Sequence, residues 1–399
     1  MAKIKKCKIC LSNKIRSVLN LGAQPAANSL HKNKTKQKKY PLNLCFCREC
    51  STAQLSVALN PKNLFSKYSW VSSTSETAKN YSLYFYKRIS KFIKKKSNIL
   101  EIASNDGLFL KVFKNGKHNV LGVDPAKNIA KFANKKGIKT IPEFFSYNFS
   151  KKIKKSNKKF DFIFARNVIP HVKEVHSVVK GMANLAENKS IIAVEFHYAK
   201  EIIKDLQYDS IYHEHIYYFT IKSISNLFKK YKLFPFDVFK SPISGGSLVL
   251  LFSKENRDKS EYLKKLENIE NKLKINSFYT WKKFGFASKR HAINFVKKIN
   301  KFNTKSKFIG YGASARSSTF LNYCNLNSSN IEFIIDQNPL KRNLYTPGTN
   351  IQIFPFNKIK SKIKSQIIIL LAWNFKKEII NFLKKNSIKN KITIPFKNQ

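Results

Sequence analysis

The sequence predicts an α/β chain in three parts: a small cysteine-rich N-terminal module, a doubly wound parallel unit, and a second, smaller unit of the same kind. Three observations carry this. Five of the six cysteines lie in the first 50 residues. From Ser97 onward, short apolar runs alternate with longer amphipathic stretches, as expected of βαβ units around a mainly parallel sheet. The alternation stops once, across a Lys/Glu/Leu-rich stretch from Lys254 to Lys301, and then resumes. The expected divisions are residues 1–62, 63–255, a helical connector at 256–302, and 303–399.

Residues 1 to about 60 read as irregular, followed by a polar, aromatic segment from Leu64 to Tyr86. In the larger unit, strands are expected at 98–103, 119–123, 138–141, 160–165 and 190–196, with helices at 107–115, 126–136 and 172–187. A helix at 221–230 follows, then strands at 233–238 and 247–252 that could form an antiparallel edge. The last unit is expected to hold strands at 307–311, 331–335, 366–371 and 391–394, with helices starting at Ser314 and spanning 375–385.

Cys7-Lys-Ile-Cys10 and Cys47-Arg-Glu-Cys50 are two C-x-x-C knuckles. Four thiolates so paired suit a tetrahedral Zn²⁺, and a full thiolate set leaves no open position, so the metal is structural. It would hold together a segment too small to fold alone. Cys45 is an alternative third ligand, and unconnected thiols or a redox pair are the competing readings. Redox C-x-x-C motifs do not come in pairs on one loop-rich segment, which favours zinc.

In the first α/β unit, Ile99-Leu-Glu-Ile-Ala-Ser-Asn-Asp-Gly107 is a strand running into a tight acidic turn. The next strand ends at Asp124, followed by Pro125. Small residues let the backbone approach a ligand, and an acid at the next strand end accepts from ribose hydroxyls. No G-x-G-x-x-G stands here, so the ligand carries ribose without pyrophosphate at this turn. S-adenosylmethionine meets that description, with Glu101, Ala103, Asn105, Asp106, Gly107, Asp124, Pro125 and Asn167 as contact residues; flavin or NAD is the alternative. Ala165-Arg-Asn-Val-Ile-Pro-His171 follows the fourth strand, where such sheets open their crevice. Further on, Tyr212-His-Glu-His215 juxtaposes phenol, imidazole and carboxylate, the groups of acid–base chemistry. A metal pair, or plain packing under a loop, are the other readings of His213 and His215.

Gly310-x-Gly312-x-x-Ala315 follows a strand and opens a helix, and Asp336 ends the next strand. This is a better dinucleotide fingerprint than the first unit carries. The helix start could hold a substrate diphosphate, with Gly312, Ser314, Arg316, Asp336 and Arg342 as contacts. A second cofactor, NAD, or a unit without ligand are the alternatives.

Taken in order, these segments resemble the sugar C-methyltransferase family over nearly the whole chain. The resemblance also includes Leu21-Gly-Ala-Gln-Pro-Ala-Ala-Asn-Ser29, Tyr68-Ser-Trp-Val-Ser-Ser-Thr-Ser75, Gly245-Gly-Ser-Leu248 and Pro347-Gly-Thr349. It implies a zinc-binding N-terminal domain, a class I methyltransferase Rossmann-like central domain and a Rossmann-like C-terminal domain that helps hold the substrate. The implied reaction is methyl transfer from S-adenosylmethionine to a carbon of a nucleotide-linked deoxyketosugar, dTDP being the expected nucleotide. It implies His215 as the base, with Glu214, Tyr212, His171 and Tyr68 around the sugar and His213 beside it. Ala103 departs from the family's usual glycine.

Composition bounds the alternatives. Lys+Arg number 76 against 23 Asp+Glu, a formal charge of +53. Only eight of these basic residues are Arg, and Lys, Asn, Ile and Phe are all abundant, as expected of AT-rich codons. The lysines do not collect into one aromatic-interleaved stripe of the kind that binds nucleic acid. A zinc-containing RNA or DNA methyltransferase, or a non-catalytic zinc nucleic-acid binder, would suit the charge. Yet Asn167-Val-Ile-Pro170 lacks the Pro-Pro-aromatic motif of base N-methylation, and binding alone needs no acid–base pair. The useful charge is expected beside the C-terminal crevice, at Arg316, Lys341 and Arg342. No transmembrane run and no apolar leader are seen, so a cytoplasmic enzyme without nucleic-acid or membrane partners is expected.

Overall fold

The structure is a computed structural model and describes residues 5–60, 73, 76–155, 159–242, 245–302, 308–363 and 366–396. Tyr68 and the rest of residues 61–72 lie outside the described residues. The first part contains β1 (Ile15–Gln24), β2 (Tyr40–Cys47) and β3 (Ala53–Leu55). The central part opens with α1 (Glu76–Ile89), β4 (Asn98–Ile102), α2 (Leu108–Asn115), β5 (Asn119–Val123), α3 (Lys127–Lys135) and β6 (Thr140–Ile141). It continues with α4 (Tyr147–Lys155), β7 (Phe160–Arg166), α5 (Val175–Leu185), β8 (Ala186–His197), α6 (Ala199–Lys204), β9 (Tyr217–Tyr218), α7 (Ile221–Lys229), β10 (Phe234–Ser241) and β11 (Ser247–Ser253). Two helices follow, α8 (Glu261–Lys272) and α9 (Phe278–Lys301). The last part holds β12 (Phe308–Tyr311), α10 (Ala315–Tyr323), β13 (Ile331–Ile335), β14 (Ile353–Phe354), α11 (Phe356–Ile359), β15 (Ile367–Leu370), α12 (Lys376–Lys385) and β16 (Ile392–Thr393).

The central sheet runs β10-β11-β8-β7-β4-β5-β6. Strands β8, β7, β4, β5 and β6 are parallel, while β11 lies antiparallel between β8 and β10. The order reverses between β4 and β7, so the crevice opens beyond the carboxyl ends of these strands. Strand β4 is buried on both faces because helices cover each side. One face packs a phenylalanine cluster, with Phe85, Phe109, Phe113, Phe162 and Phe164 all buried. The C-terminal sheet is all parallel, in the order β14-β13-β12-β15-β16.

Two expectations are corrected. The first 60 residues are not irregular: β1, β2 and β3 form an antiparallel sheet, to which β9 of the central part adds a fourth strand. The cysteines had masked an alternation in β2, where Leu42, Leu44 and Phe46 are buried. The Lys254–Lys301 stretch is helical as expected, in two helices separated between Lys272 and Phe278, but it is not just a connector. Trp281, Phe284, Phe295 and Ile299 of α9 join one core with Leu44 and Phe46 of the first sheet and Ile309 and Ile369 of the last. Gly285 meets the Val18 carbonyl so closely that a Cβ there would overlap it.

Candidate active site

The two knuckles close on each other. The Cys7 and Cys50 sulfurs stand 3.6 Å apart and those of Cys10 and Cys47 3.5 Å, with all four within 4.8 Å. A zinc tetrahedron with Zn–S of about 2.3 Å has edges of roughly 3.8 Å, so the four sulfurs fit the ion. The Ile9 N–H donates to the Cys7 sulfur at 3.4 Å, stabilising thiolate character. Hydrogen bonding from Cys7 pulls the Cys50 thiol down to about 5, whereas burial pushes Cys10 up to about 11. Four thiolates together require a cation. Cys45 stands outside this group and accepts from the Asn43 side chain. The knuckle is pinned to the central part: Lys230 Nζ donates to the Ile9 carbonyl at 2.8 Å, and a His176 ring nitrogen lies 3.0 Å from the Lys8 and Ile9 carbonyls.

At the carboxyl ends of β4, β5 and β7 lies a cavity of about 930 Å³. Ligand pockets run to about 300–1,000 Å³, so it can take a nucleoside cofactor and part of a second molecule. Of the sequence-derived cofactor residues, Glu101, Ala103, Asn105, Asp124, Pro125 and Asn167 line it. Asp106 and Gly107 do not. The Asp106 carboxylate turns toward Lys136, 3.9 Å away, and accepts from the Ser73 N–H at 3.3 Å. Gly107 serves the turn itself: its φ of 76° starts α2, and a Cβ there would stand 2.8 Å from Ile138.

The turn is strained where a side chain approaches the cavity. Ala103, Asn105 and Asn167 adopt φ of 54°, 50° and 51°, left-handed values that cost a non-glycine residue energy. Asp124 holds the turn together, accepting from the Asn105 N–H at 2.8 Å and the Ala126 N–H at 2.9 Å. Each oxygen keeps a second lone pair for a ribose hydroxyl. Burial raises the Asp124 carboxyl above the usual range. Glu101 is the clearest ligand signal: it is buried, and its Oε2 has no hydrogen-bond partner among the described residues. Burial pushes it well up, against the opposing pull of Arg166. A carboxylate so placed suits the α-ammonium of S-adenosylmethionine. Phe144 and Phe145 also line the cavity, as does Arg166, held by Glu195 at 3.2 Å with its guanidinium over the Phe109 ring. Sequence reading missed these three, although the Phe-Phe pair directly after the third strand was a visible signal.

The acid–base residues gather beside this cavity. His171 lines it, and its Nδ1 donates to the Glu214 carbonyl at 2.7 Å. Its Nε2 therefore carries the lone pair, and burial lowers the imidazole to about 4. The His215 ring stands edge-on behind it, the centroids 4.6 Å apart. His215 Nδ1 donates to the Ser210 carbonyl at 3.1 Å, so Nε2 accepts from the Tyr212 hydroxyl at 2.7 Å. Burial, with the neighbouring His171 and His197, holds His215 well below the ordinary imidazole value.

Other expected contacts fall elsewhere. Glu214 does not orient His215: its Oε1 accepts from Asn28 at 3.1 Å. His213 faces the first sheet, edge-on to Tyr40 at 5.9 Å. Gly312 turns with φ of 95° against Ala372. Ser314 caps α10 by accepting from the Ser317 N–H at 3.2 Å, and Asp336 accepts from the Ala313 N–H at 2.8 Å. Asp336 thus faces its turn as Asp124 faces the first one, and Ser314 satisfies one of the donors at the helix start. Lys341 is also turned inward, to Asp336 at 3.1 Å. Arg316 pairs with Asp209 instead of facing the turn, and Arg342 is exposed outside the cavity lining. The C-terminal part reaches the cavity through Asn374 and Phe375, after β15.

Known proteins resemble this chain in all three parts. Residues 7–65 match a zinc-binding domain family, 77–233 a methyltransferase domain family, and 242–394 a family described as the C-methyltransferase C-terminal domain. The C-methyltransferase NovU of Streptomyces niveus is 27% identical over 389 residues, covering 95% of this chain and 92% of the relative. Among solved structures, the PH0226 protein of Pyrococcus horikoshii OT3 shares 15% identity at a TM-score of 0.37, covering 49% of this chain and 98% of its own. An S-adenosylmethionine-dependent methyltransferase of Clostridium acetobutylicum ATCC 824 shares 13% at 0.34, covering 45% and 93%. The chain is a class I S-adenosylmethionine-dependent methyltransferase. More particularly, it is a C-methyltransferase with an N-terminal zinc-binding domain and the dedicated C-terminal domain of that family. No helix among the described residues is long and apolar enough to cross a membrane.

Proposed function

We propose that this C-methyltransferase acts on a nucleotide-linked deoxyketosugar, with dTDP as the nucleotide, in the cytoplasm and without nucleic-acid or membrane partners. The observation that carries the reading is the Tyr212–His215 pair. His215 is held neutral with Nδ1–H donated to Ser210, so its other nitrogen is a base at neutral pH. A saturated carbon is no nucleophile, but one next to a ketone becomes one when its proton is removed.

When bound, S-adenosylmethionine supplies the electrophilic methyl group, with Glu101 at its ammonium, Asp124 at its ribose and Asn105 and Pro125 beside it. The protein's own task is the proton. His215 takes it from the carbon beside the ketone, the electron pair passes into the enolate, and the Tyr212 hydroxyl, released from Nε2, donates to the enolate oxygen. One such donor is worth about 3 kcal/mol. His171, with Nδ1 committed to Glu214, accepts at Nε2 and does not donate. The zinc stays structural. The methylated carbon then loses nucleophilicity as the ketone re-forms.

A second reading rests on one observation: His171, not His215, lines the cavity. In that reading His171 Nε2 takes the proton. Incubating the enzyme with a panel of nucleotide ketosugars in D₂O, without cofactor, separates the two. Exchange lost in His215→Asn and retained in His171→Asn supports His215; the reverse supports His171. Exchange retained in both removes the acid–base reading.

A further inference from the structure

His215 owes its tautomer to a carbonyl on a segment that the C-terminal domain holds. Gln207 to Ile211 includes a short turn, Tyr208–Ser210, whose last carbonyl accepts His215 Nδ1–H. Asp209, in that turn, is 1% exposed. It accepts from Arg316 of α10 twice, at 3.0 Å from Nε and 2.9 Å from Nη2, and from Trp373 Nε1 at 2.7 Å. The Arg316 guanidinium also lies 4.5 Å over the Trp373 ring. Arg316 Nη2 donates to Gln207 at 3.0 Å, and Gln207 donates to the carbonyl of Gly245 at 3.1 Å, on the cavity wall. Thr319 of α10 donates to the Ile211 carbonyl at 3.2 Å, directly before Tyr212.

We propose that Asp209 and Arg316 are positioning residues for the base: their bidentate pair, braced by Trp373, fixes the turn that presents the Ser210 carbonyl to His215. The C-terminal domain thereby does two things. It contributes Asn374 and Phe375 to the cavity, and through the residue just before them, Trp373, it sets the protonation geometry of a side chain on another domain. Neither residue needs to touch the sugar. This assigns Arg316 a role different from diphosphate binding, and it explains why a guanidinium sits 12% exposed rather than open to a ligand. The assignment rests on His215 being the base, but its NMR test does not.

His215 faces the rings of His171, Tyr212 and Tyr218, the Ser210 carbonyl, and, further off, His197 and the Arg316 cation. Arg316 and the two histidines all disfavour a charged His215. ¹⁵N NMR of the histidine-labelled full-length enzyme, with His215→Gln as the assignment control, reads the tautomer and titration directly. The wild type is expected to show His215 as the Nδ1–H tautomer, titrating below an ordinary imidazole. Arg316→Lys keeps the charge and loses the fork, and should mix the tautomers with little change in titration. Arg316→Gln should mix them and raise the titration midpoint. Asp209→Asn should mix them, and Trp373→Phe, which removes one hydrogen bond, should do so partially. Solvent exchange at the ketosugar carbon should slow at least tenfold in Arg316→Lys with KM unchanged. Wild-type tautomer and titration in folded Arg316→Lys and Trp373→Phe would overturn the proposal. If Arg316→Lys does not fold, Trp373→Phe alone decides. Exchange retained in His215→Asn would instead sink the base assignment, leaving the tautomer result to stand or fall by itself.

Discussion

Replacing Glu101 by Gln should move cofactor affinity and apo stability in opposite directions. The carboxylate is 3% exposed, carries one unpartnered oxygen among the described residues, and has its pKa raised by burial. In the folded apo protein it therefore binds its proton more tightly than in the unfolded chain. By linkage, its effect is to reduce stability as pH rises above the unfolded carboxylate value of about 4.3. Glu101→Gln removes that loss. The variant's Tm should exceed the wild type's at pH 7 by an amount that shrinks toward pH 4. With cofactor bound, the sign reverses. A hydrogen bond between charged groups is worth about 1.5–3 kcal/mol, so the variant should bind S-adenosylmethionine roughly 10- to 150-fold more weakly. Calorimetric titration with S-adenosylmethionine measures the first quantity, and thermal melts at pH 4 to 8 the second. Affinity within twofold of wild type would refute the placement of the ammonium at Glu101. A lower apo Tm at neutral pH would refute the buried, unpaired carboxylate.

Other perturbations test separate joints. Metal analysis should find one zinc per chain, and Cys47→Ser should lose it, lower Tm and raise hydrogen exchange at Tyr217 and Tyr218, whose strand pairs with Ala53 and Gln54. Gly285→Ala should destabilise by more than the ~1–3 kcal/mol typical of overpacking, because the obstacle is the Val18 backbone; a denaturant melt checks this. His171 and His197, held down to about 4 and about 3 chiefly by burial, are neutral when folded and charged when unfolded between those values and about 6.5. Stability should therefore fall as pH drops through that window, and His197→Gln should flatten the acid side of a Tm–pH curve. Ala103→Gly relieves a left-handed alanine and should leave Tm unchanged or higher, with S-adenosylmethionine affinity retained.

The central fold was legible because its strands and helices follow one another at spacings that single-sequence periodicity reads well. Glu101, Asp124 and His171, expected near the crevice because strand ends in a doubly wound sheet are where crevices open, line the cavity. The first sheet was missed for local reasons: buried Cys45 and Cys47 interrupt the apolar alternation of β2, and β3 and β9, with three and two residues, are too short to show one. Arg316 and Asp336 were expected together at one anion site because a glycine turn and a helix start suggest one. Only the fold shows that Asp336, Ser317 and Lys341 bond to that turn, while Arg316 reaches Asp209 across 107 residues of sequence. Glu214 and His215 are adjacent in sequence, yet their side chains point in different directions, Glu214 to Asn28 and His215 to Tyr212.

The twelve residues from Gln207 to Tyr218 are where the three parts of the chain meet. Their first half is gripped by the C-terminal domain at Gln207, Asp209 and Ile211. Their second half enters the zinc-domain sheet through Tyr217 and Tyr218, with Asn28 holding Glu214. The central domain supplies Pro170 and His171, whose backbone and ring contact Ile216 and Glu214. Each grip lies within a few residues of Tyr212 or His215. The zinc domain and the C-terminal domain therefore share one mechanical task. They immobilise opposite ends of the segment that carries the acid–base pair. The large positive charge has no such localisation. Of the three cations expected there, Lys341 pairs with Asp336 and Arg316 with Asp209, while Arg342 is exposed, so the order around His215 depends on a paired cation rather than on the surplus of lysine.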